Sequence, residues 1–279
     1  MGLQHTLAAL QRRFSGVFGV AARDLSSGRE IARNAEAIYP AASCIKVPIM
    51  VEVFRQVEAG TLDLTAPLVY QPDQKVEGSG ILRDLTPGLS LTVRDAVVLM
   101  IIVSDNSATN ILIETVGGPA AVNETMGRMG FSQLALHRPI AFDVETPLAE
   151  GTPRAFCDLL TRLARREVVS PAASETMIEI MKRQHYTDII GRYLPYDISK
   201  VDEDPEGQLA VATKSGSVRG VRNDVGIVFP PGRAPYVIAL MSRDCADNRY
   251  WADNEAKVTL ARVSRAIYEA FVSGPTGAE

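Results

Sequence analysis

The apolar pattern of this chain changes character twice, and that change limits its fold more than any other feature. Short β-type runs stand at both ends, and stretches of helical period fill the middle. Near the N-terminus, G-V-F-G-V-A-A-R-D reads as a strand, L-S-S-G as a turn and R-E-I-A-R-N-A as its hairpin partner. Near the C-terminus, L-A-V-A-T-K-S-G, D-V-G-I-V-F and Y-V-I-A-L-M-S are three more strand-like runs, the last two joined by P-P-G-R-A-P. Between them, helical spacing runs from Val47 to Ala59, with Gly60 as its stop. It returns in L-T-V-R-D-A-V-V-L-M-I-I-V, where Thr92 and Asp95 have capping-box spacing, and in S-A-T-N-I-L-I-E-T-V-G-G, closed by Gly117 and Gly118. Thr152 and Pro153 open a further helix, and another covers roughly 171–184. Helices over 3–14 and about 253–272 flank the strands, while residues 131–151 lack a strong period and read as a long loop. Strands so far apart in sequence share a sheet only if the chain doubles back on itself. The expected fold is therefore α/β and a single domain over 1–279: an antiparallel sheet built from both termini and flanked by helices (1–42 and 205–279), with an all-helical lobe (43–204) inserted.

Composition narrows the function classes. With 46% hydrophobic and 22% charged residues the chain suits a globular protein with a large core. No apolar run reaches the ~18 residues of a membrane span. The net charge of −4, without a basic run, argues against a nucleic-acid partner. Cys44, Cys157 and Cys245 have no metal-site spacing, and their odd number leaves at least one free thiol. Neither a metal nor a cofactor is expected. The N-terminus lacks the basic start and apolar block of a signal peptide, so the chain as written reads as cytoplasmic; one whose leader had been removed, for the periplasm or secretion, would read the same. A monomer acting on a small molecule, away from membranes, is the expectation.

Three short motifs carry candidate chemistry. In P-A-A-S-C-I-K-V-P-I-M, Ser43 precedes Lys46 by three residues at a helix start, and positions i and i+3 share a helix face. Chance alone gives about 0.4 such S-x-x-K matches for 17 serines and 6 lysines in 279 residues, so this motif is weak by itself. Ser104–Asp105–Asn106 lies between two apolar helices, where helix capping is the plain alternative. Lys214–Ser215–Gly216 ends a β run and is followed by Ser217; it reads either as a strand entering a turn or as an edge strand lying along a substrate, with glycine permitting close approach.

In this order the trio resembles the motif set of the penicillin-recognising serine enzymes, and the chain resembles their class A β-lactamase-like branch over nearly its whole length. The resemblance implies an acyl-enzyme hydrolase acting on a β-lactam or a D-Ala-D-Ala-like peptide. A D-Ala-D-Ala carboxypeptidase, a small-ester hydrolase and a penicillin-binding sensor that acylates without turnover are the alternatives on the same scaffold. Ser43 would be the nucleophile and Lys46 its base. A free lysine titrates near 10.4, so holding one neutral at pH 7 costs about 4.6 kcal/mol. Burial and a neighbouring cation, Lys214, would have to supply it. Ser104 would relay a proton to the leaving nitrogen, and Asn106 would hold the substrate's amide. The N–H groups of Ser43 and Ser217, beside Gly216, would form the oxyanion hole, where one donor is typically worth ~2.7–4 kcal/mol. Lys214 and Ser215 would receive the substrate carboxylate. Arg222, in S-V-R-G-V-R-N-D, resembles the arginine that also grips it; the alternative is a surface arginine paired with Asp224.

The chain departs from the family between the second and third motifs. Class A enzymes usually carry there a glutamate, two residues after an arginine, that activates the water releasing the acyl group. Here Arg138 is followed two residues on by Ile140, and the loop reads about four residues shorter. Asp143, Glu145 and Glu150 are its carboxylates, and Glu150 is the candidate base; solvated loop charge or an acid at a helix N-terminus is the alternative for each. Gly78-Ser79-Gly80 is expected at the mouth of the pocket, where the family often has an aromatic. His5, His137 and His185 are far apart, which disfavours a Ser-His triad.

Overall fold

The structure is a computed structural model and describes residues 2–142, 144, 146–195 and 208–272. In chain order the first elements are α1 (Leu3–Arg13), β1 (Val17–Asp24), β2 (Glu30–Arg33), β3 (Tyr39–Pro40), a 3-10 turn (Ala42–Ile45) and α2 (Lys46–Glu58). Next come β4 (Pro67–Val69), β5 (Ser90–Thr92), α3 (Val93–Ile102), α4 (Asn106–Thr115), α5 (Pro119–Arg128), β6 (Ala135–Leu136) and β7 (Ala149–Gly151). The chain closes with α6 (Pro153–Ala164), α7 (Pro171–Lys182), β8 (Ala210–Val218), β9 (Val221–Phe229), β10 (Tyr236–Arg243) and α8 (Glu255–Val272).

The two ends meet as the sequence requires. β1 pairs antiparallel with β10 from Val17↔Arg243 to Asp24↔Tyr236, giving a five-stranded sheet of order β2-β1-β10-β9-β8. Alternate side chains leave opposite faces of a strand, and each face has its own apolar cover. Phe18, Val20, Ile238 and Leu240 pack with Leu7 of α1 and Leu260 and Ile267 of α8. Ala21, Val225, Val237 and Ala239 face the other way, into one cluster with Met50 of α2, Phe156 of α6 and Met177 of α7. α6 and α7 thus lie on the sheet itself. They belong to the stretch expected as the inserted helical lobe, and the core runs without a break from that lobe onto the sheet.

The helix signals act as read. Thr92 Oγ1 accepts from Asp95 N and Asp95 Oδ2 accepts from Thr92 N, closing the capping box of α3. Thr152 caps α6 through Ala155 N at 3.1 Å, with Pro153 at the first position. Two features exceed the sequence reading. Pro119 opens α5 directly after Gly118, whose φ of 90° only glycine adopts cheaply, so the glycine pair separates two helices rather than ending one. The long loop over 131–151 holds β6 and β7, which join β3 in a three-stranded sheet of order β3-β7-β6. That sheet sits beside the turn that carries Ser43. No helix among the described residues is long and apolar enough to cross a membrane.

Candidate active site

Ser43 sits in the 3-10 turn that leads into α2. Ala42, just before it, has φ 48°, a left-handed conformation that is costly for a residue with a Cβ. β8 lies against this turn as a sheet edge. A Cβ built on Gly216 would stand 2.9 Å from Ser43 N and 3.0 Å from Ala41 O, so only glycine lets the strand come so near. The thiol of Cys44 donates to Lys214 O at 3.2 Å from the turn's other side. Burial pushes that thiol well above its ordinary range, leaving a packing residue rather than a second nucleophile. Cys157 and Cys245 are likewise buried and free.

Lys46 is fully buried. Its Nζ donates to Ser104 O at 2.7 Å, to Ser104 Oγ at 3.1 Å and to Asn106 Oδ1 at 2.9 Å. Lys214, also fully buried, donates to the same Ser104 Oγ at 3.0 Å and to Ser215 O at 2.7 Å. Two ammonium groups therefore share one hydroxyl in a dry site. Burial, then the Lys214 charge, drive Lys46 well below the usual lysine range, against a smaller pull from Asp105. Burial lowers Lys214 to about 8, against the smaller pull of the Asp224 carboxylate. Of the coupled pair, Lys46 is the one driven toward its neutral form by its neighbour's charge as well as by burial.

Ser104 has φ 54°, so its hydroxyl is held between the lysines by another strained backbone position. Asp105 does what the capping alternative for this motif describes. Its Oδ1 accepts from Ala108 N at 2.9 Å, capping α4, and its Oδ2 accepts from Ile81 N and Leu82 N, both at 2.7 Å. One carboxylate thereby fixes the 78–82 loop over the site. Asn106 Nδ2 donates to Glu77 O at 2.8 Å, tying the same loop down.

Ser43, Ser79, Ser217 and Tyr250 line two adjoining spaces. The smaller, about 190 Å³, also holds Ser104, Ser215, Asp188 and Lys257. The larger, about 1070 Å³, also holds Asn106, Ile140, Phe142, Val218 and Arg219. Gly78 and Ser79 are at the mouth as expected, and an aromatic is present there after all. Phe142 comes from another loop, and its Cζ would lie 2.9 Å from a Cβ on Gly78. Arg138 holds that loop in shape by donating to the carbonyls of Thr146, Pro139 and Ala141 at 2.8–3.0 Å.

Two expected residues are placed elsewhere. Glu150 is the middle residue of β7, between inward-facing Ala149 and Gly151, and strand alternation turns its side chain outward. Its carboxylate stands 3.7 Å from His137 Nε2 and lines a neighbouring cleft of about 390 Å³ with Arg219 and Arg243, a cleft whose lining does not include Ser43. Asp143 and Glu145 lie outside the described residues. Arg222 is 1% exposed, and both Nη atoms of its guanidinium are occupied. Nη1 donates to Val218 O and Val221 O at 2.7 and 2.6 Å, Nη2 donates to Arg249 O at 2.6 Å, and the group stacks 4.4 Å from the Tyr250 ring centroid. It fastens the tip of the β8–β9 hairpin to the 248–250 segment, and no carboxylate among the described residues pairs with it. Asp224, its suggested partner, instead accepts from Ile190 N at 3.0 Å, and burial pushes it up to about 8. The cations that line the two spaces among the described residues, Arg138, Arg219 and Lys257, were not singled out as binding residues from sequence. Lys257 comes from α8, with no local motif to mark it.

The chain is similar to known proteins over nearly its whole length. The carbapenem-hydrolyzing beta-lactamase KPC of Klebsiella oxytoca is 28% identical over 274 residues, covering 94% of this chain and 86% of its own length. The crystal structure of a beta-lactamase from Sphaerobacter thermophilus superposes with TM-score 0.86 at 30% identity, over 97% of each chain. The structure of PBP-A gives TM-score 0.84 at 27% identity, over 97% of this chain and 96% of that one. The model of the Beta-lactamase enzyme family matches residues 2–271, and the chain is a member of that family.

Proposed function

We propose that the protein is a serine hydrolase that opens β-lactam amides through an acyl-enzyme on Ser43. The observation that carries this reading is Ser104 Oγ within hydrogen-bond reach of two fully buried lysines, Lys46 and Lys214. Neutral Lys46 takes the proton of Ser43 as its oxygen attacks the ring carbonyl. The N–H groups of Ser43 and Ser217 receive the developing oxyanion, at the edge where Gly216 lets strand and turn touch. Ser104 passes a proton to the departing nitrogen, and the Lys214 charge stabilises the anionic stage. Lys214 and Ser215 face the substrate carboxylate, and Asn106 its side-chain amide. The two lobes act as one catalytic domain, because the site needs α2 and α4 from one and β8 from the other.

A second reading, slow release of the acyl group, is favoured by one observation. Glu150, the carboxylate expected to activate the releasing water, lines the neighbouring cleft beside His137 instead. The test is to mix the protein with a chromogenic cephalosporin and with benzylpenicillin, following colour and intact mass together. Many turnovers with no lasting mass gain identify a β-lactamase, and a persistent adduct identifies a penicillin-binding protein. Absence of both, with cleavage of short acyl esters, would displace the β-lactam reading.

A further inference from the structure

The cleft that holds Glu150 takes no part in the proposed chemistry, yet it adjoins the space that does. Pro40, Pro147, Ala149 and Arg219 line both. Arg219 stands two residues past Ser217, roughly 7 Å along an extended chain. An acyl side chain on Ser43 therefore need not be long to reach it. The cleft carries charge of both signs. β7 supplies Glu150 from one wall, where it pairs with Pro40 of β3. The turn after β8 supplies Arg219 from the other, and the end of β10 supplies Arg243, followed by Asp244. Those last two engage each other: Arg243 Nη1 donates to Asp244 Oδ2 at 3.3 Å, and the guanidinium rests 5.6 Å from the Tyr39 ring centroid. Arg243 Nε is buried without a partner among the described residues. Glu150 and Arg219 are less committed still. The ion-pair partner of Glu150 among the described residues is His137 Nε2, and 3.7 Å is too long for a hydrogen bond. The exposed side chain of Arg219 makes neither a hydrogen bond nor an ion pair among the described residues. A carboxylate with acceptors to spare and a guanidinium with five donors thus line one cleft.

We propose that this cleft is a subsite for the far end of the substrate's acyl side chain, and that it selects side chains ending in an α-amino acid, whose carboxylate meets Arg219 and whose ammonium meets Glu150. The assignment rests on the reading of Ser43 as the acylated serine. Its two halves have different signs. Arg219 favours any side chain that ends in a carboxylate, through charge-assisted hydrogen bonds. Glu150 repels a bare carboxylate but attracts the ammonium of a zwitterion, so it separates the two. Arg243, with part of its charge answered by Asp244, adds to the pull on the carboxylate. An uncharged side chain feels none of these groups.

The experiment measures the second-order acylation rate with three cephalosporins that share one nucleus and differ in the acyl side chain. Cephalosporin C ends in an α-amino acid, its N-acetyl derivative keeps the carboxylate alone, and cephalothin is uncharged there. Each is compared between wild type, Arg219→Gln and Glu150→Gln. A solvent-exposed charge pair changes a rate by about two- to fivefold. Arg219→Gln is expected to slow cephalosporin C and its N-acetyl derivative by that factor and to leave cephalothin unchanged. Glu150→Gln is expected to slow cephalosporin C, to speed the N-acetyl derivative and to leave cephalothin unchanged. A variant that moves all three compounds together acts on the fold rather than on the side chain, and that result would overturn the assignment. So would a ratio of cephalosporin C to its N-acetyl derivative that stays the same in Glu150→Gln. If wild type is acylated by cephalothin and the variants show no discrimination, Ser43 stands and the cleft assignment falls. If none of the three acylates wild type, the reading of Ser43 fails and this assignment with it.

Discussion

Lys214→Met tests how the site makes a base out of a lysine. The substitution keeps an unbranched side chain one atom shorter and removes its charge. Both Nζ atoms bond to Ser104 Oγ, at 3.1 and 3.0 Å, so they stand no more than about 6.1 Å apart, the sum of the two. Two unit charges at about 6 Å repel by about 3 kcal/mol at the effective dielectric of ~20 that suits protein sites. That energy holds Lys46 in its neutral, proton-accepting form, and burial acts in the same direction. Removing the Lys214 charge lets Lys46 keep its proton to higher pH. At pH 7, kcat/KM should fall about 100-fold, because about 1.4 kcal/mol corresponds to a factor of ten. The pH dependence distinguishes this from a lost substrate contact. The acid limb of kcat/KM, which reports the free enzyme's base, should move toward alkaline pH, and much of the lost rate should return there. A lost carboxylate contact lowers the whole profile without moving it. An unmoved acid limb would show that Lys214 does not tune Lys46, or that Lys46 is not the base.

Other consequences are checked as directly. Glu150→Gln should leave deacylation within about twofold of wild type in single-turnover experiments, since its carboxylate lies beside His137; an accumulating acyl-enzyme would contradict the placement. Gly216→Ala should cost about 1–3 kcal/mol and nearly abolish acylation, because the new methyl meets Ser43 N at 2.9 Å; melting temperature and acylation rate read the two effects. Glu52 is a fully buried acid: burial would raise it, but hydrogen bonds from Arg55, Thr125 and Gln56 outweigh that and lower it. A lowered acid stabilises the fold above its unfolded pKa and loses that stabilisation as pH falls through the folded value. Glu52→Gln should therefore destabilise the protein at pH 7 and flatten the acid-side loss of stability, as read by denaturant unfolding at a series of pH values.

The legible parts of this protein are those whose signal is local. Ser43 and Lys46 share one turn of chain, Thr92 and Asp95 share another, and strand-forming runs at both ends leave few ways to build a sheet. What was hidden depends on parity and on distance. Glu150 reads as a loop acid until β7 pairs with β3 and β6; alternation then sends Glu150 outward between Ala149 and Gly151. β3, β6 and β7 are two or three residues each, too short for a period to show. Arg222 follows the third motif at a plausible spacing, but its direction is set by carbonyls at 218, 221 and 249. Lys257 reaches the cleft only because α8 packs behind β9 and β10, a contact that no sequence pattern announces.

The central claim is that Ser43 carries the acyl group. The most direct measurement is peptide mapping by mass spectrometry after a brief exposure to benzylpenicillin and an acid quench, on wild type and on Ser43→Ala. A penicilloyl group on the peptide that contains Ser43, absent from the variant together with all β-lactam hydrolysis, is the result this account predicts. Modification of another residue, or hydrolysis undiminished in Ser43→Ala, would contradict it.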